Sequence, residues 1–257
     1  MNPEASAQFR ATVGLLKRVP SGVLRMGSPF HPREWPATNH FVPEFEIGHA
    51  PVTVSQYGVF LDSGASTVRR WWSDEGWRWR RGELDGWGRE NRGLPDRWSI
   101  QKRRPYHPVV SITWFEVQAY CAWLSDQTKQ TVRLAFEEEW ERAARGGDRR
   151  PFPWGEEFSS ELANTIESDR RDTVPAASLD TDRSPFGVLD MAGNVQEWTA
   201  SDYIPLEGEN FPSGPLKVAR GGSFNDTSYG GRTSYRRAYP PGYFFPFLGF
   251  RVVVERR

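Results

Sequence analysis

Residues 218–257 read VARGGSFNDTSYGGRTSYRRAYPPGYFFPFLGFRVVVERR, and they decide how the fold closes. Residues 220–223 and 249–251 frame a run of dissimilar residues, and we interpret the frame as a buried turn followed by a closing strand. Between them, residues 243–247 show neither the alternation of a half-buried strand nor the spacing of a helix. Aromatic residues beside Gly and Pro are typical of a binding surface, so we predict an exposed one here.

Composition excludes several classes of function. The 257 residues include 33 acidic and 33 basic side chains, so no global charge favours nucleic acid or an anionic membrane. No apolar run approaches the roughly 20 residues of a membrane span. Residues 1–22 lack the apolar core and cleavage site of a signal peptide, which favours a cytoplasmic protein. Export by another route, or display on a phage or cell surface, stays open.

The aromatic, proline and cysteine content predicts an irregular fold. The 12 Trp and 20 Pro residues favour loops held by large side chains over long regular elements. Cys121 is the only cysteine in the sequence, so a disulfide within the chain is impossible. Because no repeat or low-complexity linker occurs, we expect one domain over residues 19–257 after an N-terminal arm over residues 1–18.

Local signals predict helices in the middle of the chain and strands at both ends. Thr113 and Glu116 have the spacing of a capping box, and residues 115–126 carry apolar side chains with a helical period. A second helix is predicted over residues 136–145, where two glycines end it. This order predicts an α+β domain whose termini pair in one sheet. A short helix is also predicted at 55–61, and strands at 23–26, 45–47, 218–219, 234–236 and 250–254.

A series of short motifs follows in order from residue 19 to residue 254. The motifs include VPSG at 19–22, MGS at 26–28, PVT at 51–53, HPVV at 107–110, AYCAWL at 119–124, EWERAARG at 139–146, PWG at 153–155 and DMAGNVQEW at 190–198. In these motifs the chain resembles the formylglycine-generating-enzyme-like domain, also called the sulfatase-modifying-factor domain. The resemblance implies an α+β fold of the C-type-lectin type, with short strands, two main helices and much irregular loop structure.

The resemblance implies two kinds of redox site, and this chain lacks the residues for both. The family's oxidases bind copper(I) through two cysteines in the segment after the Gly-Gly-Ser turn. Residues 224–231 stand in that segment and contain none. The sulfoxide-synthase relatives bind iron through three histidines, and here His31, His40, His49 and His107 have no close ligand spacing. We therefore predict a protein that is not an enzyme and requires no cofactor.

Cys121 and His107 are interpreted as structural residues. Cys121 lies on the apolar face of the predicted helix over residues 115–126, where a small buried hydrophobic side chain is expected. His107 precedes Pro108 as in an ordinary structural motif of the family that the chain resembles. Neither residue is therefore predicted to bind a metal.

Asn194 and Glu197 are a candidate calcium site. In some relatives the matching Gly-Asn-x-x-Glu segment supplies oxygen ligands to calcium, a hard cation that accepts carboxylate, amide and backbone oxygens. The alternative is structural, because Asn194 can turn the loop while Glu197 pairs with a buried arginine. Asn164 and Asp169 are candidates for a second site. A structural calcium ion therefore stays open.

Residues 69–104 form an insertion rich in Trp and Arg. Interleaved basic and aromatic side chains can bind single-stranded nucleic acid. Acidic residues are mixed among them, however, and Trp–Arg stacking inside a folded loop gives the same composition. Similar Trp-rich loops occur in the family that the chain resembles, so we favour packing over nucleic-acid binding.

Residues 220–251 resemble one branch of the family in particular, the variable proteins of diversity-generating retroelements. Those proteins use the C-type-lectin fold to display residues that are diversified by mutation of adenines in the gene. Because only adenines are mutated, a limited set of amino acids can occur at the diversified positions. Residues 225–231 and 243–247 all belong to that set. The resemblance implies a display protein that binds an unknown protein or cell-surface ligand through residues 224–247. An undiversified binding or scaffold protein is the alternative.

Three arginines, Arg232, Arg236 and Arg251, are expected to hold the frame through hydrogen bonds and stacking, so that the side chains between them can vary without loss of the fold. Tyr and Phe offer a large contact area at little cost in rotamer entropy. Alternatively, these aromatic residues pack on the Trp-rich insertion as a second core. The predicted contact residues are Phe224, Asn225, Asp226, Thr227, Ser228, Tyr229, Gly230, Gly231, Tyr235, Tyr239, Tyr243, Phe244, Phe245, Pro246 and Phe247.

Two further functions stay open. One is a metal-dependent oxidase of this family that acts on an unknown substrate without the cysteine pair. The other is the binding of single-stranded nucleic acid by residues 69–104. For the oxidase, the candidate metal-binding side chains are Asp202, Asn225, Asp226 and Tyr229.

Overall fold

Ten short strands and five helices form the regular structure of residues 14–84 and 93–255, the part of the chain that the computed structural model describes. Irregular loops and short 3-10 turns connect them, which confirms the predicted α+β class. The helices are α1 (Val54–Asp62), α2 (Asp74–Arg80), α3 (Trp98–Gln101), α4 (Trp114–Thr128) and α5 (Glu137–Arg145). The strands are β1 (Leu16–Val19), β2 (Gly22–Met26), β3 (Thr38–Val42), β4 (Phe45–Gly48), β5 (Thr131–Leu134), β6 (Gln196–Asp202), β7 (Lys217–Arg220), β8 (Arg236–Tyr239), β9 (Leu248–Phe250) and β10 (Val252–Glu255).

One sheet joins the first and last strands of the described chain. Its order is β1-β4-β10-β5, and neighbouring strands are antiparallel. β4 pairs with β1 on one side, where Leu16 lies opposite Gly48, and with β10 on the other. The predicted pairing of the termini in one sheet is therefore confirmed. β1 begins inside residues 1–18, the predicted arm, of which residues 1–13 lie outside the described part.

The other four-stranded sheet closes the segment over residues 220–251. Its order is β8-β7-β6-β9, while β2 and β3 form a separate two-stranded sheet. Glu197 on β6 lies opposite Arg220 on β7 and opposite Gly249 on β9. The two ends of the frame are therefore held on either side of one residue. The intervening chain leaves the sheet, contributes β8, and returns to it at β9.

The two central helices begin and end close to their predicted positions. At the start of α4, the Glu116 carboxylate accepts a hydrogen bond from the Thr113 N–H at 2.8 Å, and the Thr113 hydroxyl oxygen accepts one from the Glu116 N–H at 3.2 Å. This is the predicted capping box. Helix α5 begins after Phe136 and ends at Gly146, whose φ of 76° few side chains tolerate.

The Trp-rich insertion packs into the main core. Trp72, Trp79 and Trp98 are all buried there. The Trp72 and Trp79 rings stack with centroids 6.4 Å apart, and the Arg80 guanidinium lies 5.2 Å from the Trp72 ring centroid. These contacts favour packing as the role of the insertion, of which residues 85–92 lie outside the described part. Within the described chain, no helix combines the length and apolar character needed to cross a membrane.

A second core cluster is organised by buried charges around α5. Glu141 on α5 pairs with Arg220 at the end of β7, and both side chains are fully buried. Nearby, the Trp140 indole N–H donates to the Glu197 carboxylate at 2.8 Å. Because an unpaired buried charge is strongly unfavourable, these contacts fix α5 against β6 and β7.

The aromatic run over residues 243–247 differs from the exposed surface that its sequence predicts. Within the run, only Pro246 is exposed. The Phe245 and Phe247 rings stack with centroids 5.2 Å apart and pack against the main core. The physical reason is that the run leads directly into β9, and the Phe245 carbonyl accepts a hydrogen bond from the Ser111 N–H at 3.0 Å. Both connections hold the run against the body of the fold.

Candidate functional site

A groove with a volume of about 250 Å³ lies beside the segment over residues 224–247. Two predicted contact residues, Phe224 and Pro246, form part of its wall. The rest comes from α3 and the loops around it, from the segment before α4, from residues 171–173 and from Val54 at the start of α1. Its apolar lining residues include Ile100, Pro108, Val110, Phe224 and Pro246, and its charged lining residues are Asp96, Arg97, Arg104, Arg171 and Asp172.

Hydrogen bonds fix the loops that line the groove. The Gln101 side chain donates to the Val110 carbonyl at 3.1 Å and accepts from the Val110 N–H at 3.2 Å, which joins α3 to the segment before α4. The Ser111 N–H donates to the Phe245 carbonyl and so joins that segment to the aromatic run. The groove is therefore largely preformed, as ligand sites usually are.

Three residues of the groove wall have backbone conformations that favour glycine. Arg97, Ser111 and Arg171 have φ angles of 53°, 58° and 56°. Such conformations cost on the order of 1–3 kcal/mol each and cluster at binding and catalytic sites. Their concentration around one concave surface makes the groove the best candidate site in the described part of the chain.

The arginines that line the groove are only partly neutralised within the protein. Arg104 donates to Asp172 at 2.5 Å, and Arg171 pairs with the exposed Asp169 at 2.6 Å. Among the residues that the structure describes, the Arg97 guanidinium has no hydrogen-bond or ion-pair partner. Three arginines and two aspartates line the groove, which therefore attracts negative charge.

His107 lies in the groove wall and is neutral at pH 7. Its Nδ1 shares a hydrogen bond of 2.9 Å with the Thr173 hydroxyl. Burial lowers the pKa of His107 below its usual 6.5, and the charge of Arg104 lowers it further, against the opposing effect of Asp172. The hydrogen bond to Thr173 agrees with the structural interpretation of His107. Its position in the groove also lets a neutral imidazole face a ligand.

The loop over residues 224–231 is built around Asp226. The Asp226 carboxylate accepts hydrogen bonds from the Ser223 N–H at 3.0 Å and the Gln196 amide at 2.7 Å, and it pairs with Arg237. These partners engage both carboxylate oxygens, so Asp226 fixes the loop. The loop exposes Asn225, Thr227 and Tyr229, leaves Phe224 and Ser228 half-buried, and buries Gly230 and Gly231.

Tyr229 and Tyr235 belong to a different surface, which we call the aromatic patch together with Phe30 and His31. The Tyr229 ring centroid lies 5.6 Å from that of Phe30 and 5.5 Å from that of His31. The Tyr235 ring lies 5.3 Å from His31. Neither tyrosine lines the groove. The structure thus divides the predicted contact set between the groove and the aromatic patch.

The other aromatic members of the predicted set are half-buried. Tyr239 donates its hydroxyl hydrogen to Gln196 at 2.9 Å, and its ring centroid lies 5.0 Å from that of Phe245. Burial raises the pKa of Tyr239 to about 12, so the hydroxyl stays protonated. Tyr243, Phe244 and Phe247 are likewise half-buried. These residues remain predicted ligand contacts, with much of each ring already packed within the protein.

The charged residues of the groove are not among the predicted contact residues. Arg97 and Arg104 lie in the insertion that is interpreted as packing, and Arg171 and Thr173 lie in a stretch without a motif. Residues from three distant parts of the chain meet only once the fold has formed. The HPVV motif, which begins at His107, is the single local signal that points to this place.

The candidate calcium residues are already hydrogen-bonded within the protein. Both Glu197 carboxylate oxygens accept hydrogen bonds from Arg251 at 2.6 Å. The Asn194 side-chain oxygen accepts from the Val174 N–H at 2.9 Å and from the Asn164 amide at 3.2 Å. The structural alternative accounts for all of these contacts. Calcium at this place stays a prediction.

The described residues do not fit a redox metal. Nowhere in residues 14–84 and 93–255 do three or more His, Cys, Asp or Glu side chains form a group that could hold a metal ion. Burial raises the pKa of Cys121 to about 12, so its thiol stays protonated and is a poor ligand. Of the candidates for an oxidase without the cysteine pair, Asp202 pairs with Lys217 at 2.6 Å.

Comparison with known proteins shows relatives over most of the chain. Residues 2–256 match the model of the sulfatase-modifying factor enzyme 1-like domain. The hercynine oxygenase of Mycolicibacterium thermoresistibile is 33% identical over 221 residues, which are 74% of this chain and 46% of that protein. The chain spans about half the length of the curated hercynine oxygenases that it matches.

Solved structures share the fold over nearly the whole chain. PvdO from Pseudomonas aeruginosa superposes with a TM-score of 0.68 at 25% identity and covers 94% of each chain. Treponema denticola variable protein 1 gives a TM-score of 0.68 at 19% identity, covering 94% of this chain and 95% of that one. At this identity the second likeness shows the fold alone, which is the fold of the suspected variable-protein branch.

These relatives correct two predictions made from the sequence. The prediction that the chain is not an enzyme is wrong, because hercynine oxygenases are among its relatives, at 32–33% identity over 74% of the chain. The prediction that no cofactor is required is wrong for the same reason, since chemistry with dioxygen generally relies on a metal or organic cofactor. Both predictions considered only this chain's own cysteines and histidines, whereas these relatives are about twice as long. The match over residues 2–256 shows that the chain belongs to the family of the sulfatase-modifying factor enzyme 1-like domain.

Proposed function

We propose that this chain is the substrate-binding part of an oxidoreductase that uses dioxygen, and that the groove is its substrate site. The observation that carries the proposal is the 33% identity to a hercynine oxygenase over 74% of the chain. Among the functions left open by the sequence, this favours the metal-dependent oxidase with an unknown substrate.

The redox metal of such an enzyme has its ligands outside this chain. All four histidines and the one cysteine fall within the described ranges, and they form no group that could hold a metal. Most of the charged residues that line the groove are arginines, whose guanidinium groups have no lone pair to offer a metal. Because the hercynine oxygenases are about twice as long as this chain, a further domain or a partner subunit is the natural source of the ligands.

The residues of this chain would then bind and orient the substrate. Phe224 and Pro246 offer apolar contact in the groove, and Arg97 and Arg104 offer positive charge. His107 is neutral and can hold or release a proton near a bound substrate. Correct placement of a substrate relative to a reactive centre is itself a large part of catalysis.

The test is to purify the protein from its native host together with any partner that it retains. Iron and copper content and dioxygen uptake are measured with hercynine plus a thiol, and with a cysteine-containing peptide. We expect uptake by a metal-containing assembly and none by the isolated chain. An assembly without a redox metal that consumes no dioxygen contradicts the proposal.

Two matched variants locate the substrate site in that assay. Arg104→Gln should lower kcat/KM, because it removes a positive charge from the groove. Arg78→Gln removes an exposed charge on α2 outside the groove and should leave kcat/KM unchanged. Equal effects of the two substitutions would show that the groove is not the substrate site.

The exposed part of the loop supports a second role, ligand binding by Asn225, Thr227 and Tyr229. These side chains are exposed while Asp226 fixes the backbone between them, so they could vary without loss of the fold. If the loop is diversified, the gene should lie near a reverse transcriptase and an imperfect copy of its own 3′ end. A genome with neither feature contradicts diversification.

A further inference from the structure

We infer that the groove selects a small substrate that carries one carboxylate beside an apolar group. The role of such a molecule as substrate rests on the proposed function. Its binding does not, because binding can be measured without turnover. The inference rests on the charge of the groove, on which of its arginines already have partners in the protein, and on its volume and apolar lining.

The net charge of the groove matches a single negative charge. Arg104 and Arg171 each pair with an aspartate, so among its three arginines Arg97 alone keeps an uncompensated positive charge within the described chain, and the neutral His107 adds none. A monocarboxylate balances that excess, whereas a phosphate near its dianionic form would leave negative charge uncompensated. Clefts lined by one sign of charge concentrate ligands of the opposite sign.

The arginines differ in how far the protein already satisfies them. Arg104 shares its guanidinium with Asp172, and Arg171 pairs only with an exposed aspartate. In the described part of the chain, Arg97 has no partner at all. A guanidinium presents parallel N–H groups that match the two oxygens of a carboxylate. Arg97 is therefore the strongest candidate for direct contact with the ligand, and Arg104 is the second.

The groove also presents apolar side chains that suit an apolar group of modest size. Ile100 is 50% exposed, and Phe224 and Pro246 stand with it in the wall. A volume of about 250 Å³ lies just below the roughly 300–1,000 Å³ of sites for drug-sized ligands. The groove therefore fits a molecule of amino-acid size better than an extended peptide.

Three probes that share a phenyl group test the inference on the purified chain by isothermal titration calorimetry. They are 3-phenylpropionate, its neutral amide 3-phenylpropanamide, and phenyl phosphate. We expect the carboxylate to bind about 10-fold more tightly than the amide, because a hydrogen bond to a charged group is lost. Phenyl phosphate should bind more weakly than the carboxylate. Tighter binding of phosphate, equal binding of the amide, or binding of none of the three overturns the inference.

Arg97→Gln and Arg104→Gln locate the carboxylate. Each should weaken 3-phenylpropionate binding about 10-fold and leave the amide nearly unchanged. Arg97 has no partner within the described protein, so its substitution should leave the thermal unfolding midpoint unaltered. Arg78→Gln on α2 is the matched control and should change neither affinity. An effect of Arg78→Gln as large as that of Arg97→Gln contradicts the site.

The two proposals fail separately. If 3-phenylpropionate binding depends on Arg97 but the assembly consumes no dioxygen, the proposed function is wrong and this inference is supported. If the assembly consumes dioxygen with substrates that lack a carboxylate, and the chain shows no preference for 3-phenylpropionate, the proposed function is supported and this inference is wrong.

Discussion

Arg251 donates two hydrogen bonds of 2.6 Å to the carboxylate of Glu197, and both side chains are buried. Glu197 lies on β6 between the two ends of the segment over residues 220–251. Arg251 also donates to the carbonyls of Gly48 and Leu189, at 3.1 and 2.9 Å. One guanidinium therefore joins the end of β4, the loop before β6 and the end of the segment that carries part of the groove.

Replacing Arg251 by Met should lower the free energy of unfolding by about 3–5 kcal/mol, because Glu197 would remain buried without its charged partner. Urea unfolding followed by circular dichroism measures the change. The matched control is Arg18→Met, which breaks an exposed pair with Glu44 and should cost no more than about 1 kcal/mol. If the two substitutions cost the same, the buried pair does not hold the frame.

The helix ends could be predicted from sequence because their signals are local. The side chains of Thr113 and Glu116 satisfy each other's backbone N–H groups, and the residues lie only three positions apart. The glycine that ends α5 is likewise required by the backbone conformation at one position. The pairing of β1 and β10 with β4 follows less directly, from short strands placed at both ends of the chain.

The groove could not be predicted in the same way, because distance along the chain hides it. Arg97, His107 and Arg171 become neighbours only after α3 is fixed to the segment before α4. The aromatic run over residues 243–247 misleads for a different reason. The run has no helical or strand spacing of apolar residues, as its sequence indicates. Contacts with Ser111 and the core nevertheless bury much of it.

Phe247→Ala should lower the free energy of unfolding by about 2 kcal/mol, because the half-buried ring loses its stacking on Phe245 and its contact with the core. Thermal or urea unfolding provides the measurement. Thr227→Ala, on the exposed side of the loop, should change stability by less than about 0.5 kcal/mol. If Phe247→Ala proves as neutral as Thr227→Ala, the aromatic run behaves as a display surface after all.

Cys121 should not react with thiol reagents while the protein is folded. The side chain is buried on α4, and burial raises the pKa of its thiol to about 12, so both access and thiolate fraction are low. With 5,5′-dithiobis(2-nitrobenzoic acid) at pH 8, we expect no release of thionitrobenzoate until urea unfolds the protein, and then one equivalent per chain. Rapid release from the folded protein would show that the core around α4 opens readily.

The free energy of unfolding of the unsubstituted protein should fall as pH rises from 6.5 to 8, and replacing Asp182 by Asn should abolish this fall. Burial, and the neighbouring charge of Asp190, raise the pKa of Asp182 from 3.8 to about 8. The folded protein therefore keeps this proton at neutral pH, whereas the unfolded chain releases it near pH 4. Because the unfolded state binds fewer protons, the free energy of unfolding falls with rising pH until the folded carboxyl also ionises. One proton limits the slope to about 1.4 kcal/mol per pH unit.

Comparing the two proteins separates this effect from those of neighbouring groups. Burial lowers the pKa of His49 to about 4, so most of its influence on stability lies below pH 6.5, where the unfolded imidazole gains a proton, and the small remainder above pH 6.5 is the same in both proteins. The pKa of Asp190 is raised only to about 6, below the window. Asparagine keeps an oxygen that can accept the Ala192 N–H, which lies 3.1 Å from Asp182. Urea midpoints from pH 6.5 to 8 should therefore fall for the unsubstituted protein and stay level for Asp182→Asn, and a parallel fall in both would mean that Asp182 is already ionised in the fold.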